Sequence, residues 1–177
     1  MSGSLAGEGF SLRRATAADV DFMAALAAHE DVEPFMAAVS ARDAKALQEE
    51  VARSEQEPQH HGRFVVEVDG RAAGVMSFDV ANRRSRIADL RGLMLHPDFR
   101  GRGIADAAAR LLVRYLIFEL EYHRVQLECY GFNERAIRHA ERSGFVKEGV
   151  KRRAYRRHGE WVDGVLFGLT REDLETG

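Results

Sequence analysis

The stretch His96-Pro97-Asp98-Phe99-Arg100-Gly101-Arg102-Gly103-Ile104-Ala105 is the most informative part of this chain. It is a polar turn, punctuated by glycine, that follows an apolar predicted strand and leads directly into a predicted helix. The first N–H groups of such a helix have no intrahelical partner and lie at the positive end of the helix dipole, a geometry that binds phosphate. Gly101 and Gly103 let a bulky anion approach the main chain closely, and two arginines add permanent positive charge.

Two common phosphate loops do not fit this stretch. A nucleotide P-loop requires Gly-Lys-Ser/Thr, which the chain lacks. In a dinucleotide fingerprint, Asp106 would stand where the third small residue belongs, and that fingerprint is expected near the start of a βαβ unit. The remaining pattern is Arg/Gln-x-x-Gly-x-Gly/Ala, filled by Arg100, Gly103 and Ala105. The alternative is a simple tight turn, because glycine-rich helix starts are common.

The composition is that of an ordinary globular domain. The chain has 177 residues, of which 45% are hydrophobic and 31% charged, and its formal net charge is −2. This length fits one domain with a full core. The slightly negative charge argues against a general nucleic-acid or membrane-surface binder, so we expect neither DNA nor a membrane as partner.

The sequence also favours a cytoplasmic location. Cys129 is the only cysteine, so no intramolecular disulfide can form, and no apolar run is long enough to span a membrane. Residues 1–9 lack the basic region and apolar core of a signal peptide and are expected to form a flexible tail. We expect residues 10–177 to form a single domain, monomeric or homodimeric, without a metal site.

Hydrophobic patterning predicts a mixed α/β fold with the element order β-α-α-β-β-β-α-β-α-β-β. Strands are predicted at 10–15, 64–68, 72–79, 87–95, 124–130, 145–154 and 161–169, and helices at about 16–28, 41–55, 104–118 and 134–143. The helix after the Gly-rich loop carries an apolar stripe at helical spacing that should pack on the sheet. Its members are Ile104, Ala108, Leu111, Tyr115 and Phe118.

A second motif stands in register with the first. Asn133-Glu134-Arg135-Ala136-Ile137, followed by Ser143-Gly144-Phe145, resembles the helix after the fifth strand in the Gcn5-related N-acetyltransferase (GNAT) superfamily. The Gly-rich loop resembles the pyrophosphate-binding loop of the same enzymes. The segments 148–155 and 159–163 resemble the Rim branch, which includes ribosomal-protein N-terminal acetyltransferases and is close to spermidine acetyltransferases. The resemblance covers most of the chain from Phe10 onward.

The resemblance implies a fold, a donor and a reaction. The fold is a mixed, mostly antiparallel central sheet flanked by helices. The activity is transfer of an acetyl group from acetyl-CoA to a primary amine by direct attack in a ternary complex. The residues implied to bind the cofactor are Met94 and Leu95 for the pantetheine arm, Arg100, Gly101, Arg102, Gly103, Ile104 and Ala105 for the pyrophosphate, and Asn133 for the lower arm.

Other roles remain open at this stage. Asn133 also suits a helix N-cap, and the two roles can coexist. The oxyanion donor would be the N–H of Leu95 or of a neighbour.

Glu128 is the preferred general base. Strand alternation places Gln126, Glu128 and Tyr130 on one face, opposite the apolar face of the same strand. Glu128 also lies five residues before Asn133, where some N-terminal acetyltransferases of this family carry a catalytic glutamate. The alternative is a surface carboxylate paired with an arginine.

The chain departs from the family at the general acid. Many members place a tyrosine seven residues after the asparagine, and some Rim enzymes use a serine three residues after it. Here those positions are Ala140 and Ala136. Either the thiolate leaves without a protein acid or another hydroxyl serves. Tyr155 is the candidate, with a structural tyrosine as the alternative.

Two charge clusters suggest different acceptors. Glu30, Asp31 and Glu33 follow the first helix and would suit a cationic amine. A basic run would suit an acidic peptide, and it consists of Lys151, Arg152, Arg153, Arg156 and Arg157. Either cluster could instead be a solvated face.

The Rim-like segments favour a peptide or protein N-terminus, with Glu30, Glu33 and Arg153 as candidate substrate-binding residues. The alternatives are a polyamine or small-molecule amine acetyltransferase, and an acyl-CoA-binding module without catalysis. RNA binding is poorly supported, because the basic run has only Tyr155 as an interleaved stacking aromatic.

Overall fold

A computed structural model describes residues 4–35 and 43–176 of the chain. Its eight strands form one sheet in the order β1-β2-β3-β4-β5-β6-β8-β7. The strands are β1 Leu5–Gly7, β2 Phe10–Arg14, β3 His61–Val68, β4 Arg71–Asn82, β5 Ile87–Leu95, β6 Arg124–Tyr130, β7 Val146–Arg157 and β8 Glu160–Thr170. The helices are α1 Val20–Ala28, α2 Ala44–Gln56, α3 Ile104–Arg114, α4 Glu134–Arg142 and α5 Arg171–Thr176.

The sheet divides the core into two layers. Helices α1 and α2 pack on one face, where Val20, Leu26 and Val51 join Val65 and Val75. Helices α3 and α4 pack on the other face in a larger apolar cluster. All neighbouring strands are antiparallel except β5 and β6. The predicted mixed, mostly antiparallel fold is therefore confirmed.

Two short elements were not predicted from the sequence. Leu5–Gly7, expected within a flexible tail, forms strand β1 and pairs with Phe10–Leu12 in an antiparallel hairpin. Gly9, at φ +74°, supports the tight turn between them. Helix α5 follows β8 directly, and Asp173 accepts hydrogen bonds from the N–H and hydroxyl of Thr170. The first residues predicted for the second helix, 41 and 42, lie outside the described residues.

The predicted apolar stripe of α3 is confirmed except at its end, since Leu111 and Tyr115 also pack against the core. Ile104 and Ala108 are buried as expected, but Leu112 and Leu116 are fully buried whereas Phe118 is 36% exposed. A π-helical turn, Tyr115–Glu119, follows α3. The i→i+5 hydrogen bonds of a π turn add a residue to the turn and rotate the side chains that follow. Regular α-helical spacing therefore misplaces the end of the stripe.

The helix predicted from about residue 16 starts as a short 3-10 turn, Ala17–Asp19, and α1 proper begins at Val20. Asp19 accepts hydrogen bonds from the Thr16 N–H (2.7 Å) and hydroxyl (3.1 Å). Arg13 of β2 also donates two hydrogen bonds to this carboxylate. The bonds from Arg13, partly opposed by burial, lower the pKa of Asp19. Among the described residues, no helix has the length and apolarity needed to cross a membrane.

Candidate active site

The parallel strands β5 and β6 diverge at the centre of the sheet. They pair only through Ile87, Ala88 and Asp89 on β5, and the registered pairing stops there. Beyond that point, Met94 and Leu95 pair with β4 alone. Among the described residues, this part of β5 thus has no strand partner on the side of β6, and the pantetheine arm along Met94 and Leu95 stays a prediction.

The Gly-rich loop has the backbone conformation that anion binding needs. Gly101 and Gly103 have φ values of +76° and +72°, and Gly103 is the N-cap of α3. A Cβ at either position would meet no atom within 4 Å, so the space beside them is open. The first N–H groups of α3 point out of the helix at this loop.

Two arginines converge beside this loop. The Arg100 side chain donates to the Leu95 carbonyl (3.0 Å) and to the Asp31 carbonyl (3.4 Å). Arg135, in the first turn of α4, donates to the same Asp31 carbonyl at 3.5 Å. Burial, and next the Arg135 guanidinium, lower the pKa of Arg100. Two like charges at one point favour binding of an anion between them, and the sequence reasoning missed Arg135.

Asn133 is the N-cap of α4. Its side-chain oxygen accepts a hydrogen bond from the Ala136 N–H at 3.1 Å. The structural role considered for this residue is therefore present, while its bond to the cofactor stays a prediction. Asp106, the residue that broke the dinucleotide fingerprint, joins α3 to α4 through hydrogen bonds with His139 (2.5 Å) and Arg142 (2.7 Å).

The two predicted catalytic residues are in direct contact. The Tyr155 hydroxyl donates to Glu128 Oε1 at 2.7 Å, and Lys151 Nζ donates to Glu128 Oε2 at the same distance. The hydrogen bond to Glu128, and then burial, raise the pKa of Tyr155. The same carboxylate raises the pKa of Lys151. Glu128 thus has the paired state that the alternative interpretation expected, but with a lysine and a tyrosine rather than an arginine.

An irregularity in β7 brings these side chains together. Lys151 pairs with Gly164 and Tyr155 with Val162, so residues 152–154 lie opposite Asp163 alone. Asp163 holds this bulge, because its side chain accepts a hydrogen bond from the Arg153 N–H at 2.7 Å. A Cβ at Gly164 would come within 2.8 Å of the Tyr155 ring and would also collide with Glu128. Glycine at this position therefore makes room for the pair.

An aromatic group extends from Tyr155 toward the segment after α1. Tyr155 contacts Tyr130 edge to face (5.7 Å between centroids), Tyr130 stacks on Phe132 (5.4 Å), and Phe132 meets Phe35 at 6.1 Å. The Arg157 guanidinium lies over Tyr130, 5.4 Å from the ring centroid. These aromatic side chains, which the sequence reasoning did not assemble, connect Glu128 with the short helical turn Glu33–Phe35.

The predicted substrate-binding residues are not gathered into one cluster. Glu30 is exposed, and Glu33 opens the turn that the β7–β8 hairpin contacts. Arg157 and His158 both approach the Pro34 carbonyl, at 3.3 and 3.4 Å. Arg153 is exposed in the bulge, with a left-handed φ of +51°.

The basic run of the hairpin therefore does not behave as one solvated face. Lys151 contacts Glu128, whereas Arg157 is directed to the turn after α1.

Cys129 and a separate cavity complete the surroundings. Burial, and next the charge of Glu128, raise the pKa of Cys129 to about 11.

A cavity of about 340 Å³ lies between α1, the start of β4 and the beginning of the Gly-rich stretch, with Phe22, His29, His96 and Phe99 among its lining residues. Its lining includes neither Glu128 nor Tyr155, the two predicted catalytic residues.

The chain matches known acetyltransferases. The profile of the acetyltransferase (GNAT) domain matches residues 10–146. The SPbeta prophage-derived uncharacterized N-acetyltransferase YokL of Bacillus subtilis is 34% identical over 115 residues, or 64% of each chain. Spermidine N(1)-acetyltransferase of Escherichia coli is 30% identical over 107 residues, 60% of this chain and 57% of that one.

The fold is also found among solved structures. The ribosomal-protein-S5-alanine acetyltransferase of Vibrio fischeri superimposes with a TM-score of 0.82 over 97% of this chain and 98% of that one, at 18% identity. At such identity the likeness shows the fold alone. The predicted superfamily is confirmed, because the domain profile matches most of the chain. A ribosomal-protein alanine N-acetyltransferase and a spermidine acetyltransferase of Escherichia coli, the two kinds of enzyme named for the predicted Rim-like branch, are both among its relatives. The chain belongs to the GNAT acetyltransferase family.

Proposed function

We propose that this chain transfers an acetyl group from acetyl-CoA to the α-amine of a peptide or protein N-terminus. The observation that carries the proposal is the contact of Glu128 with Tyr155 at the widening gap between β5 and β6. A carboxylate and a phenol within hydrogen-bond distance form a pair that can accept one proton and return another. The cytoplasmic location expected from the single cysteine is part of the same proposal.

The residues of the donor side fit a CoA diphosphate. Gly101 and Gly103 leave open space at the start of α3, and the guanidinium groups of Arg100 and Arg135 point to one carbonyl oxygen beside it. A diphosphate placed there would receive backbone N–H groups and two permanent cations. When bound, acetyl-CoA supplies the acetyl group as a thioester. The open edge of β5 at Met94 and Leu95 would hold the pantetheine arm.

Glu128 accepts the proton that the amine nitrogen releases as it attacks the thioester carbon. The Leu95 N–H, or that of a neighbour, donates to the oxygen that gains negative charge. When the carbon–sulfur bond breaks, Tyr155 supplies a proton to the departing sulfur and recovers one from Glu128. The raised pKa of Tyr155 keeps the phenol protonated at neutral pH. The products are the N-acetylated amine and free CoA.

Direct attack is favoured over an acyl-enzyme. Cys129 is the sole cysteine, and a pKa of about 11 leaves almost no thiolate at neutral pH. The thiolate, not the thiol, is the nucleophile of such intermediates. Cys129 is also the neighbour of Glu128 on strand β6, so its sulfur lies on the opposite face of the sheet.

The basicity of the acceptor distinguishes the two substrate classes. A peptide α-amine has a pKa of about 7.7–8.0, whereas alkyl ammonium groups of the lysine type lie near 10.4. A base therefore needs less free energy to deprotonate a peptide N-terminus at neutral pH than to deprotonate a polyamine. The ammonium of Lys151 also offsets the negative charge of Glu128, and Arg157 lies over the neighbouring Tyr130 ring, so this pair offers little attraction to a polycation.

A polyamine acceptor is the second candidate. Glu30, Asp31 and Glu33 bring acidic side chains to the segment that contacts the hairpin, which would suit a polycation. A relative named spermidine N(1)-acetyltransferase adds support. The third candidate, a binding module without catalysis, is supported by Ala140 and Ala136 at the family's acid positions.

A panel assay separates these candidates. The purified chain is incubated with acetyl-CoA and, in parallel, with peptides bearing free N-termini, the same peptides with blocked N-termini, spermidine and free amino acids. We expect CoA release only with free N-termini, and mass spectrometry should locate the acetyl group on the α-amine. Preferred turnover of spermidine would support the second candidate. Tight acetyl-CoA binding by calorimetry without any turnover would support the third.

A further inference from the structure

We infer that Lys151 selects acceptors by charge, because its ammonium occupies the place beside Glu128 that a cationic acceptor would need. This inference rests on the proposed function and adds a determinant of its specificity. Lys151 lies on the edge strand β7, and its side chain is 48% exposed although its ammonium is bound to Glu128.

Both oxygens of Glu128 have a donor in the structure. Oε2 receives the Lys151 ammonium and Oε1 the Tyr155 hydroxyl, each at 2.7 Å. Each carboxylate oxygen can accept a further hydrogen bond, but an acceptor that arrives as an ammonium must approach Glu128 beside the like charge of Lys151. An acceptor that arrives as a neutral amine needs only a position from which it can deliver its proton.

The surrounding charges add to this selection. Cys129, the next residue on the strand, has its sulfur on the opposite face, and its raised pKa keeps it neutral. A second cation, Arg157, is held over the Tyr130 ring and at the Pro34 carbonyl, and Tyr130 contacts Tyr155. A polyamine carries at least one further ammonium, so both cations oppose its approach, whereas an uncharged peptide segment meets no such opposition.

The bulge in β7 fixes where Lys151 lies relative to Glu128. Lys151 and Tyr155 are four residues apart and so share a face of β7, and the bulge opposite Asp163 sets the register that pairs them with Gly164 and Val162, within reach of Glu128. Lys147, on the same strand, is exposed and lies beyond a different irregularity, between Lys147 and Gly149. It therefore provides a matched control for loss of one positive charge.

The test compares two acceptors in four proteins. The kcat/KM is measured for a short peptide with a free N-terminus and uncharged side chains, and for spermidine, with the wild type, Lys151→Met, Lys151→Arg and Lys147→Met. We expect Lys151→Met to lower the peptide-to-spermidine ratio about tenfold, the effect of roughly 1.4 kcal/mol. Lys151→Arg keeps the charge and should retain the ratio, as should Lys147→Met.

Salt provides an independent readout. Because the ammonium is partly exposed, raising the ionic strength should bring the wild-type ratio toward that of Lys151→Met while leaving the variant's ratio little changed. A purely structural lysine would not produce this convergence.

The outcomes separate the inference from the function on which it rests. If Lys151→Met lowers kcat/KM equally for both acceptors, with the ratio unchanged, the inference is overturned while the acetyltransferase function stands. If the wild type binds acetyl-CoA but acetylates neither acceptor, the proposed function fails and the inference fails with it. A lowered ratio for Lys147→Met as well would show a general charge effect and would also overturn it.

Discussion

The donor and acceptor sides of the site are built in different ways. The proposed donor side is centred on one contiguous segment, 94–105, with backbone groups and glycine conformations suited to an anion, and the start of α4 adds only Asn133 and Arg135. The acceptor side is assembled from side chains of β6 and β7 and from the turn after α1, which are distant in sequence. A binding site made of backbone is specified locally, whereas one made of side chains depends on strand register. Variants on the two sides should therefore change different measured quantities.

The largest expected effect is on the acceptor side. Glu128→Gln keeps the size of the side chain but removes the proton acceptor, so we expect kcat to fall about 10²–10⁴-fold. The dissociation constant for acetyl-CoA, measured by calorimetry, should remain at the wild-type value. Glu160→Gln, in the β7–β8 hairpin, is the control of equal charge change and should keep wild-type turnover. Wild-type kcat in Glu128→Gln would reject this carboxylate as the base.

The next effect concerns the proton donor. Tyr155→Phe removes the hydroxyl that bonds Glu128, and we expect kcat to fall about tenfold or more, since one catalytic hydrogen bond is worth roughly 1–2 kcal/mol. Tyr130→Phe is the matched control, because it removes a hydroxyl from the neighbouring ring while preserving the stacking on Phe132. Equal losses in both variants would mean that the aromatic group, not the Tyr155 hydroxyl, supports turnover.

A donor-side variant should leave the chemistry of the acceptor side intact. Gly103→Ala places a side chain at φ +72°, with a strain of about 1–2 kcal/mol, and should weaken acetyl-CoA binding about tenfold at a nearly unchanged kcat. Gly70→Ala has the same open surroundings and a φ of +70°, but lies in the β3–β4 hairpin. It should lose similar stability without losing acetyl-CoA affinity. If both variants bind acetyl-CoA alike, the loop at Gly103 is not the diphosphate site.

The smallest effect is on the support beneath the donor loop. Asp106 joins α3 to α4, and although burial opposes its ionisation, the hydrogen bonds from Arg142 and His139 leave its pKa below the ordinary value. Asp106→Asn should lower Tm by about 2–4 °C at neutral pH.

The pH dependence of that stability loss has a definite sign. A carboxylate whose pKa is lower in the folded state stabilises the fold above its unfolded pKa of about 3.9, and the stabilisation is lost as the pH falls through the folded value. The Tm difference between wild type and Asp106→Asn should therefore shrink on acidification below about pH 4. A Tm difference that persists unchanged there would assign the loss to packing.

The sequence predicted local features better than register-dependent ones. The strands at 87–95 and 124–130 have the predicted bounds, because apolar alternation and turn residues define them. Strand β1 and helix α5 were missed, since three and six residues carry too little pattern. The end of the stripe of α3, at Phe118, was misplaced because it lies in the π turn, which shows no periodic signature in sequence.

The same distinction applies to the site. Glu128 and Tyr155 were predicted separately, from strand alternation and family resemblance, and the structure brings them into contact. Lys151 was expected among basic residues that suit an acidic ligand. Its contact with Glu128 depends on the bulge opposite Asp163, and only the paired strands reveal that bulge.

The most direct test of this account is a crystal structure with acetyl-CoA bound. We predict the diphosphate at residues 100–105 between Arg100 and Arg135, the pantetheine arm along Met94 and Leu95, and the thioester in the gap between β5 and β6, facing Glu128. A diphosphate bound elsewhere, or a thioester outside hydrogen-bonding reach of the Glu128–Tyr155 pair even through one water, would contradict it.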